Sequence, residues 1–216
     1  MKARLLILLI VVALYASAST TESIIERWES FSDTLVDYTC RLHNDLVKGN
    51  ETSSIIWDYR YLEPGYIYME SIEGDRLGSK AFYDPETEKV TGRRGGMLRF
   101  VKLTLPLTNS LVQNLRGITI AESPWFHVMD RLGRILESDT EVTTGTEALD
   151  SLTADYIEIK EIPVEEFGFT RAKILFAPSG RIIGFKHYEN GVMVEDVLYT
   201  DVKINTGLKK EDLMVK

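Results

Sequence analysis

The residue types of a hydrolase triad occur together in one short segment of the chain. Ser123, His127 and Asp130 are spaced so that they share one face of a predicted helix. A triad needs its serine exposed on a strained elbow and its partners brought in from other segments of the fold. One helix face does not provide that geometry, and Ser123 is expected to act as the helix N-cap. Of the functions considered for this chain, hydrolysis is therefore the least favoured.

Other candidate catalytic and metal sites lack the spacing that their chemistry needs. The histidines show no paired ligand spacing, and no pattern places two carboxylates across a cleft as a glycosidase requires. The histidines are His43, His127 and His187, and the neighbouring carboxylates are Glu165 with Glu166 and Asp155 with Glu158. The sequence predicts no catalytic residue, no metal site and no cofactor, and so a protein that is not an enzyme.

A basic, glycine-rich segment runs from Gly92 to Gly96 and contains Arg93 and Arg94. Such a loop could cradle a phosphate or a carboxylate, but it lacks the lysine and the following Ser or Thr of a P-loop. We interpret it as a solvated hairpin loop. Its arginines would suit a lipid headgroup at the mouth of a cavity.

A set of aromatic and flexible apolar residues is the strongest candidate for a binding site. Tyrosine and tryptophan combine apolar area with a polar tip, and methionine adapts to varied shapes. These residues could line a pocket for a lipid or another apolar ligand; alternatively, they could fill the core between a sheet and its helices. The predicted ligand-binding residues are Trp57, Tyr59, Tyr61, Tyr68, Met69, Trp125, Phe126, Met129 and Leu132.

Two predicted strands between Thr52 and Glu73 hold the first five of these residues. In the first strand apolar residues alternate with mostly polar ones, which gives one aromatic face. Glu63-Pro64-Gly65 predicts a type II bend, after which Tyr66 to Met69 form the returning strand.

Two amphipathic helices are predicted to cover the sheet. The first runs from Glu22 to Leu35 and can be capped by Thr20 or Thr21. The second has Ser123 as its N-cap and Pro124 at its first position, and it ends near Glu137. The second helix contains the remaining candidate residues, of which Trp125, Met129 and Leu132 belong to its apolar stripe.

Period-two alternation predicts antiparallel strands over most of the remaining chain. The threonine-rich run from Asp139 to Thr153 is interpreted as a loop, with at most a short strand. The total is roughly eight to eleven strands. In the last strand, Val192, Val194, Leu198, Val202 and Ile204 are expected to share the buried face. The other strands are Val36 to Val47, Lys80 to Tyr83, Lys89 to Thr91, Met97 to Leu105, Asp155 to Ile162, Thr170 to Ala177 and Arg181 to Tyr188.

The composition suits one acidic, exported domain. The first 18 residues predict a signal peptide, with Lys2 and Arg4 before an apolar run and a small-residue cleavage site ending at Ala18. Removing them lowers the formal charge from −8 to −10, which disfavours nucleic acid as a partner. Residues 19–216 are expected to form a single domain in the periplasm. The lone Cys40 is expected to be buried; the alternative is a disulfide between two chains.

Two segments and the order of the predicted elements resemble a known superfamily. The segments are Tyr38-Thr39-Cys40 with the strands to Met69, and Tyr199 to Asn205 followed by Gly207-Leu208 and Asp212-Leu213. On these residues the chain resembles the LolA/LolB-like lipoprotein-carrier superfamily and, within it, an exported bacterial family of unassigned function. The resemblance implies an α+β fold, a half-open antiparallel β-barrel whose concave face is covered by helices. In the carriers that cavity receives acyl chains.

The expected function is that of a periplasmic, non-enzymatic binding or carrier protein that holds a lipid, an acyl chain or a lipidated partner in an apolar cavity. The expected partners are a lipid or lipidated protein and a membrane-bound donor or acceptor. The alternative is a structural or protein-interaction domain of the cell envelope, with a filled core and no ligand.

The signal peptide predicts where the mature chain begins. N-terminal sequencing of the exported protein is expected to start within a residue or two of Ser19, because a signal peptidase cleaves after the small residue Ala18. A retained Met1 in the exported protein would contradict the prediction.

Overall fold

The computed structural model describes residues 19–96, 100–149 and 152–215. The predicted signal peptide, residues 1–18, lies outside the described residues. Within them, eleven strands form one antiparallel sheet, accompanied by four α-helices. The helices are α1 (Thr21–Ser32), α2 (Trp125–Leu136), α3 (Val164–Phe167) and α4 (Lys210–Leu213). The strands are β1 (Asp37–Lys48), β2 (Glu51–Leu62), β3 (Tyr66–Gly74), β4 (Lys80–Asp84), β5 (Lys89–Arg93), β6 (Lys102–Pro106), β7 (Glu141–Leu149), β8 (Leu152–Lys160), β9 (Arg171–Phe176), β10 (Ile182–Glu189) and β11 (Val192–Ile204).

The chain builds the sheet from its centre to one edge and then from the other edge back to the centre. Strands β1 to β6 follow one another outward, and after α2 strands β7 to β11 return inward, so that β11 pairs with β1. The sheet is curved, and β6 and β7 at its two edges do not pair with each other. The predicted half-open antiparallel barrel with helices on its concave face is confirmed.

Both long helices pack on the concave face because each has one apolar stripe. The side chain of Thr20 caps α1 by accepting a hydrogen bond from the Ser23 amide at 3.2 Å. Ile24 and Trp28 of α1 are buried in the main core, together with Trp125, Leu132 and Ile135 of α2. None of the helices in the described residues is long and apolar enough to span a bilayer.

The junction of β1 and β11 is held by a buried carboxylate. Asp37 is only 1% exposed. Its oxygens accept hydrogen bonds from the amides of Thr206 (2.7 Å), Gly207 (2.9 Å) and Leu208 (3.2 Å), and from the Thr206 hydroxyl (2.8 Å). Burial alone would raise the pKa of Asp37, but these four bonds favour the charged form and lower the pKa below its ordinary value. In the predicted strand from Val36 to Val47, apolar residues alternate with polar ones such as Asp37, so its burial differs from what the alternation predicts.

Asn205 fastens the same junction from the other strand. Its side-chain oxygen accepts from the Val36 amide at 2.8 Å, and its side-chain nitrogen donates to the Thr34 carbonyl at 2.7 Å. Asn205 has a φ of 52°, in the left-handed region that asparagine tolerates better than most residues.

Two strand assignments differ from the sequence prediction. Residues 141–149, predicted as a loop, form strand β7, which pairs with β8 along its whole length. In β11 the buried residues include Glu195, Val197 and Tyr199, whereas Val192 and Leu198 are exposed. A bulge causes this shift: Tyr188 pairs with Met193, but His187 pairs with Glu195.

Two turn assignments also differ. The Glu63–Pro64 peptide is cis, so the bend between β2 and β3 is of type VI and not of type II. Pro124, and not Ser123, is the residue that precedes α2, while the Ser123 hydroxyl donates to the Ile120 carbonyl at 2.6 Å. Cys40 is buried as predicted, and burial raises the pKa of its thiol well above the ordinary value.

The Asp37 cluster predicts a large stability loss from a small change. Asp37→Asn replaces one acceptor oxygen by a donor nitrogen facing backbone amides, and we expect it to lower the free energy of unfolding by about 2–4 kcal/mol. Urea unfolding at neutral pH measures this loss. The exposed Asp45→Asn, on the same strand, is the matched control and should change stability by less than about 0.5 kcal/mol.

The stability difference between the wild type and Asp37→Asn should depend on pH. The folded-state pKa of Asp37 is depressed, so its contribution is present above the unfolded pKa of roughly 4 and is lost as the pH falls through the folded pKa. The difference between wild type and Asp37→Asn should therefore shrink below about pH 4. A difference that stays constant into acid would contradict the role given to the carboxylate.

Candidate functional site

One end of the interior is filled by an aromatic cluster that fixes α2 to the sheet. The rings of Tyr38 and Trp125 stack with their centroids 3.9 Å apart and their planes 4° from parallel, and both residues are 0% exposed. Tyr199 meets Trp125 edge-on at 5.5 Å. The cluster is completed by Trp28, Phe31, Tyr59, Tyr61 and Phe126.

The other end of the interior contains a cavity of about 1070 Å³. Protein interiors have few voids larger than a water molecule, so a cavity of this volume is not a packing defect. Most of its buried lining is aliphatic, and a few polar side chains interrupt it. Its floor and its α2 wall include Leu42, Leu46, Ile55, Val90, Leu132, Ile135, Ile174 and Val197.

The exposed lining residues mark the opening of the cavity. Large apolar side chains are among them, with exposures of 63% for Leu77, 53% for Leu111 and 48% for Leu103. Arg93 and Arg94 of the predicted basic segment also line this opening, together with Arg76. Arg93 and Arg94 have no ion-pair partner in the described part of the chain. The opening therefore combines an apolar rim with positive charge.

The structure divides the predicted binding residues into three groups. Trp57, Met69 and Leu132 line the cavity. Tyr68 faces the opposite side of the sheet. The remaining residues pack in the filled core beside the cavity: Tyr59, Tyr61, Trp125, Phe126 and Met129.

The position of Tyr68 follows from strand register. Tyr59 pairs with Met69 and Arg60 pairs with Tyr68, and paired residues share a face. Tyr68 therefore lies on the convex face with Tyr66 and Phe82, where the C-terminal residues Leu213 and Val215 cover it. The prediction of Tyr68 as a pocket residue assumed that the aromatic residues of both strands lie on one face of the sheet. The register places Tyr68 on the other face, so that prediction is wrong.

A segment that sequence analysis left almost unassigned covers part of the cavity. Residues 107–122, the roof segment, contain two 3-10 turns (Ser110–Val112 and Ile120–Glu122) and contribute much of the lining. Ile120 of this segment packs in the main core, and Arg116 supplies polar contacts, because its guanidinium donates to the carbonyls of Val47 at 3.0 Å and Gly168 at 2.6 Å. Only the tertiary fold brings those carbonyls together, so no sequence signal marked Arg116.

A buried, hydrogen-bonded pair of side chains lies in the cavity wall formed by β10 and β11. Nδ1 of His187 is 2.8 Å from Oε2 of Glu195, and both residues line the cavity. Burial lowers the pKa of His187, although the bond to Glu195 opposes this effect. Burial alone would raise the pKa of Glu195. The hydrogen bond from His187 and the positive charges of Arg131 and Arg116 outweigh burial, so the pKa lies below its ordinary value. The imidazole is therefore neutral, and its Nδ1–H donates to an ionised carboxylate.

The candidate catalytic residues do not form a reactive group. The Ser123 hydroxyl lies 3.1 Å from the Tyr59 hydroxyl, and the exposed His127 and Asp130 make no hydrogen bond to it in the described residues. Within residues 19–96, 100–149 and 152–215, no group of three potential ligand side chains could hold a metal ion.

Solved structures share this architecture. The lipoprotein LppX of Mycobacterium tuberculosis is 11% identical, with 87% of this chain and 96% of that chain covered and a TM-score of 0.54. LprF from Mycobacterium bovis is 12% identical, with 89% and 97% covered and a TM-score of 0.48. A LolA superfamily protein from Nitrosomonas europaea is 14% identical, with 92% and 99% covered and a TM-score of 0.38.

The likeness to LppX is a likeness of fold. It agrees with the eleven-stranded, half-open antiparallel sheet of this chain. No protein-family model matches the chain, and no curated protein matches it.

The filled and open ends of the interior predict different costs for two tryptophan substitutions. Trp125→Ala should lower the free energy of unfolding by about 3–5 kcal/mol, because the ring is fully buried among aromatic neighbours. Trp57→Ala should cost less than about 2 kcal/mol, because Trp57 is only partly buried and faces the cavity. Urea unfolding of both variants tests this. Equal losses would mean that the cavity end is packed as tightly as the aromatic end.

Proposed function

We propose that this protein is a non-enzymatic carrier of the cell envelope that holds a lipid, an acyl chain or a lipidated partner in its cavity. The observation that carries the proposal is the cavity of about 1070 Å³ beneath α2 and the roof segment, with a largely aliphatic buried lining. Cavities of roughly 300–1,000 Å³ lined by apolar side chains are typical of small-molecule sites.

The buried lining suits the apolar part of such a ligand. Water in a cavity is stable only where polar groups supply two to four hydrogen bonds for each molecule. Side chains such as Leu46, Ile55 and Ile174 offer none. Replacing that water by an acyl chain gains roughly 0.8 kcal/mol for each buried methylene.

The opening suits an anionic headgroup. Arg93 and Arg94 line it without ion-pair partners in the described residues, although the whole chain is acidic. A guanidinium binds a phosphate or carboxylate in a two-pronged geometry. The exposed Leu77, Leu103 and Leu111 beside them would meet the first methylenes of the ligand or the surface of a membrane.

Exchange of the ligand needs a part of the cover that can move. The aromatic cluster fixes the N-terminal end of α2 through Trp125, whereas the roof segment is held by the bonds of Arg116 and by Ile120, which packs in the main core. Opening the roof segment would break those bonds and expose Ile120, but it would leave the stacking of Tyr38 on Trp125 in place. A membrane-bound donor or acceptor in the periplasm would then pass the ligand through the opening.

The proposal predicts lipid binding that depends on free space in the cavity. Native mass spectrometry of the protein purified from its own periplasm should show a bound lipid, and a fluorescent fatty acid should bind the delipidated protein. Ala81→Trp places a large ring in the cavity and should weaken that binding at least about tenfold, since displacing two methylenes costs about 1.6 kcal/mol.

Ala148→Trp is the matched control, because Ala148 is exposed on β7 and does not line the cavity. It should leave the affinity unchanged, and thermal unfolding should show that both variants fold. Absence of any lipid, together with no affinity for the fatty acid, would refute the carrier function. The envelope-scaffold alternative would then remain.

A further inference from the structure

Two buried polar side chains in the cavity wall have acceptor atoms without partners. His187 and Glu195 are 6% and 4% exposed, and both line the cavity. Each uses one side-chain atom in the bond between them. In the described residues, Nε2 of His187 and Oε1 of Glu195 make no hydrogen bond. Both atoms keep some accessible surface, and because their residues line the cavity, a ligand group inside the cavity can reach them and complete their hydrogen bonds.

The imidazole is held in one orientation. The ring of Phe169 stacks on it with the centroids 3.8 Å apart and the planes 6° from parallel, and the Phe185 ring lies at 4.9 Å. The bond from Nδ1 to Glu195 fixes the rotation of the ring. Nε2 is therefore a preorganised group and not a side chain that must be ordered when a ligand binds.

The chemistry of the pair selects the kind of ligand group. Because Nδ1–H donates to the carboxylate, Nε2 is a hydrogen-bond acceptor, as is Oε1 of Glu195. The ligand must therefore supply a donor. The ionised carboxylate would attract an ammonium group, but that cation would have to lose its hydration in a mostly aliphatic cavity, whereas a hydroxyl group donates without burying a further charge.

We propose that His187 and Glu195 form a subsite for a hydroxyl group carried on the buried part of the ligand, so that the cavity prefers hydroxylated acyl chains to plain ones. This inference rests on the proposed function and names the ligand class more narrowly. The rest of the buried aliphatic lining would accept any chain of suitable length, so the discrimination comes from this one place in the wall.

The test compares hexadecanoic acid with hydroxyhexadecanoic acids whose hydroxyl lies near the carboxyl end, at the middle or at the far end of the chain. Calorimetry with delipidated wild-type protein should show at least one hydroxy acid binding about tenfold more tightly than the plain acid, as expected for one hydrogen bond to a buried acceptor. Hexadecylamine is included as a cationic probe and should bind no more tightly than the plain acid.

A double variant assigns the preference to the pair. His187→Phe with Glu195→Leu replaces both polar groups by apolar ones of similar shape, which avoids leaving a lone buried charge. The double variant should still bind hexadecanoic acid, and the ratio of its affinities for the hydroxy acid and the plain acid should fall to about one. The nitrogen NMR signals of His187 in the wild type provide a second measurement, and the Nε2 signal should shift with the hydroxy acid only.

The outcomes separate this inference from the proposed function. If all four acids bind the wild type equally, the hydroxyl subsite is refuted and the carrier function stands. A preference that survives in the double variant, or a tighter binding of the amine, also refutes it. If no acid binds at all, the carrier function and the subsite fail together.

Discussion

The pairing of β1 with β11 is the contact on which the rest of the molecule depends. It joins two meanders that the chain builds separately, and without it the sheet would be two halves, each with a further open edge. The Asp37 carboxylate and the Asn205 amide bind the backbone at the end of this seam. Tyr38, the next residue, carries the ring on which Trp125 stacks. The same few residues therefore close the sheet and position α2 over it.

This concentration of packing at one end explains how a stable protein can keep an unfilled interior. Tyr38 and Trp125 are fully buried against aromatic neighbours, and such side chains supply the largest burial energy per residue. The cavity end is lined by shorter aliphatic side chains that do not reach across to one another. The aromatic end holds the start of α2, while Leu132 and Ile135 in its second half are buried and also line the cavity.

The sequence predicted the architecture well because most of its signals are local. Alternation of apolar residues identified β1, and the dipeptide Asn190-Gly191 between β10 and β11 is typical of a short hairpin turn. The binding site was predicted less well, because it depends on register. A bulge in β11 places Glu195 opposite His187 where an unbroken hairpin would place Val194, and no residue type announces that extra position. Tyr68 was also assigned to the wrong face, because the face of a residue in β3 depends on the register with which β3 pairs with β2. The role of Arg116 could not be predicted, because the carbonyls that it binds belong to distant segments of the chain.

The bulge in β11, which the sequence analysis did not predict, also gives the cavity wall its polar residues. Without it, an apolar Val194 would face the cavity at that position and the wall between β10 and β11 would be uniformly apolar. With it, an ionised carboxylate lies 4% exposed beside a neutral imidazole. Replacing both members of a buried polar pair by well-packed apolar residues is often neutral or stabilising, so the His187–Glu195 pair is not explained by stability alone. The bulge brings polar groups to a cavity of ligand size. Packing alone does not require such a feature, whereas ligand binding would.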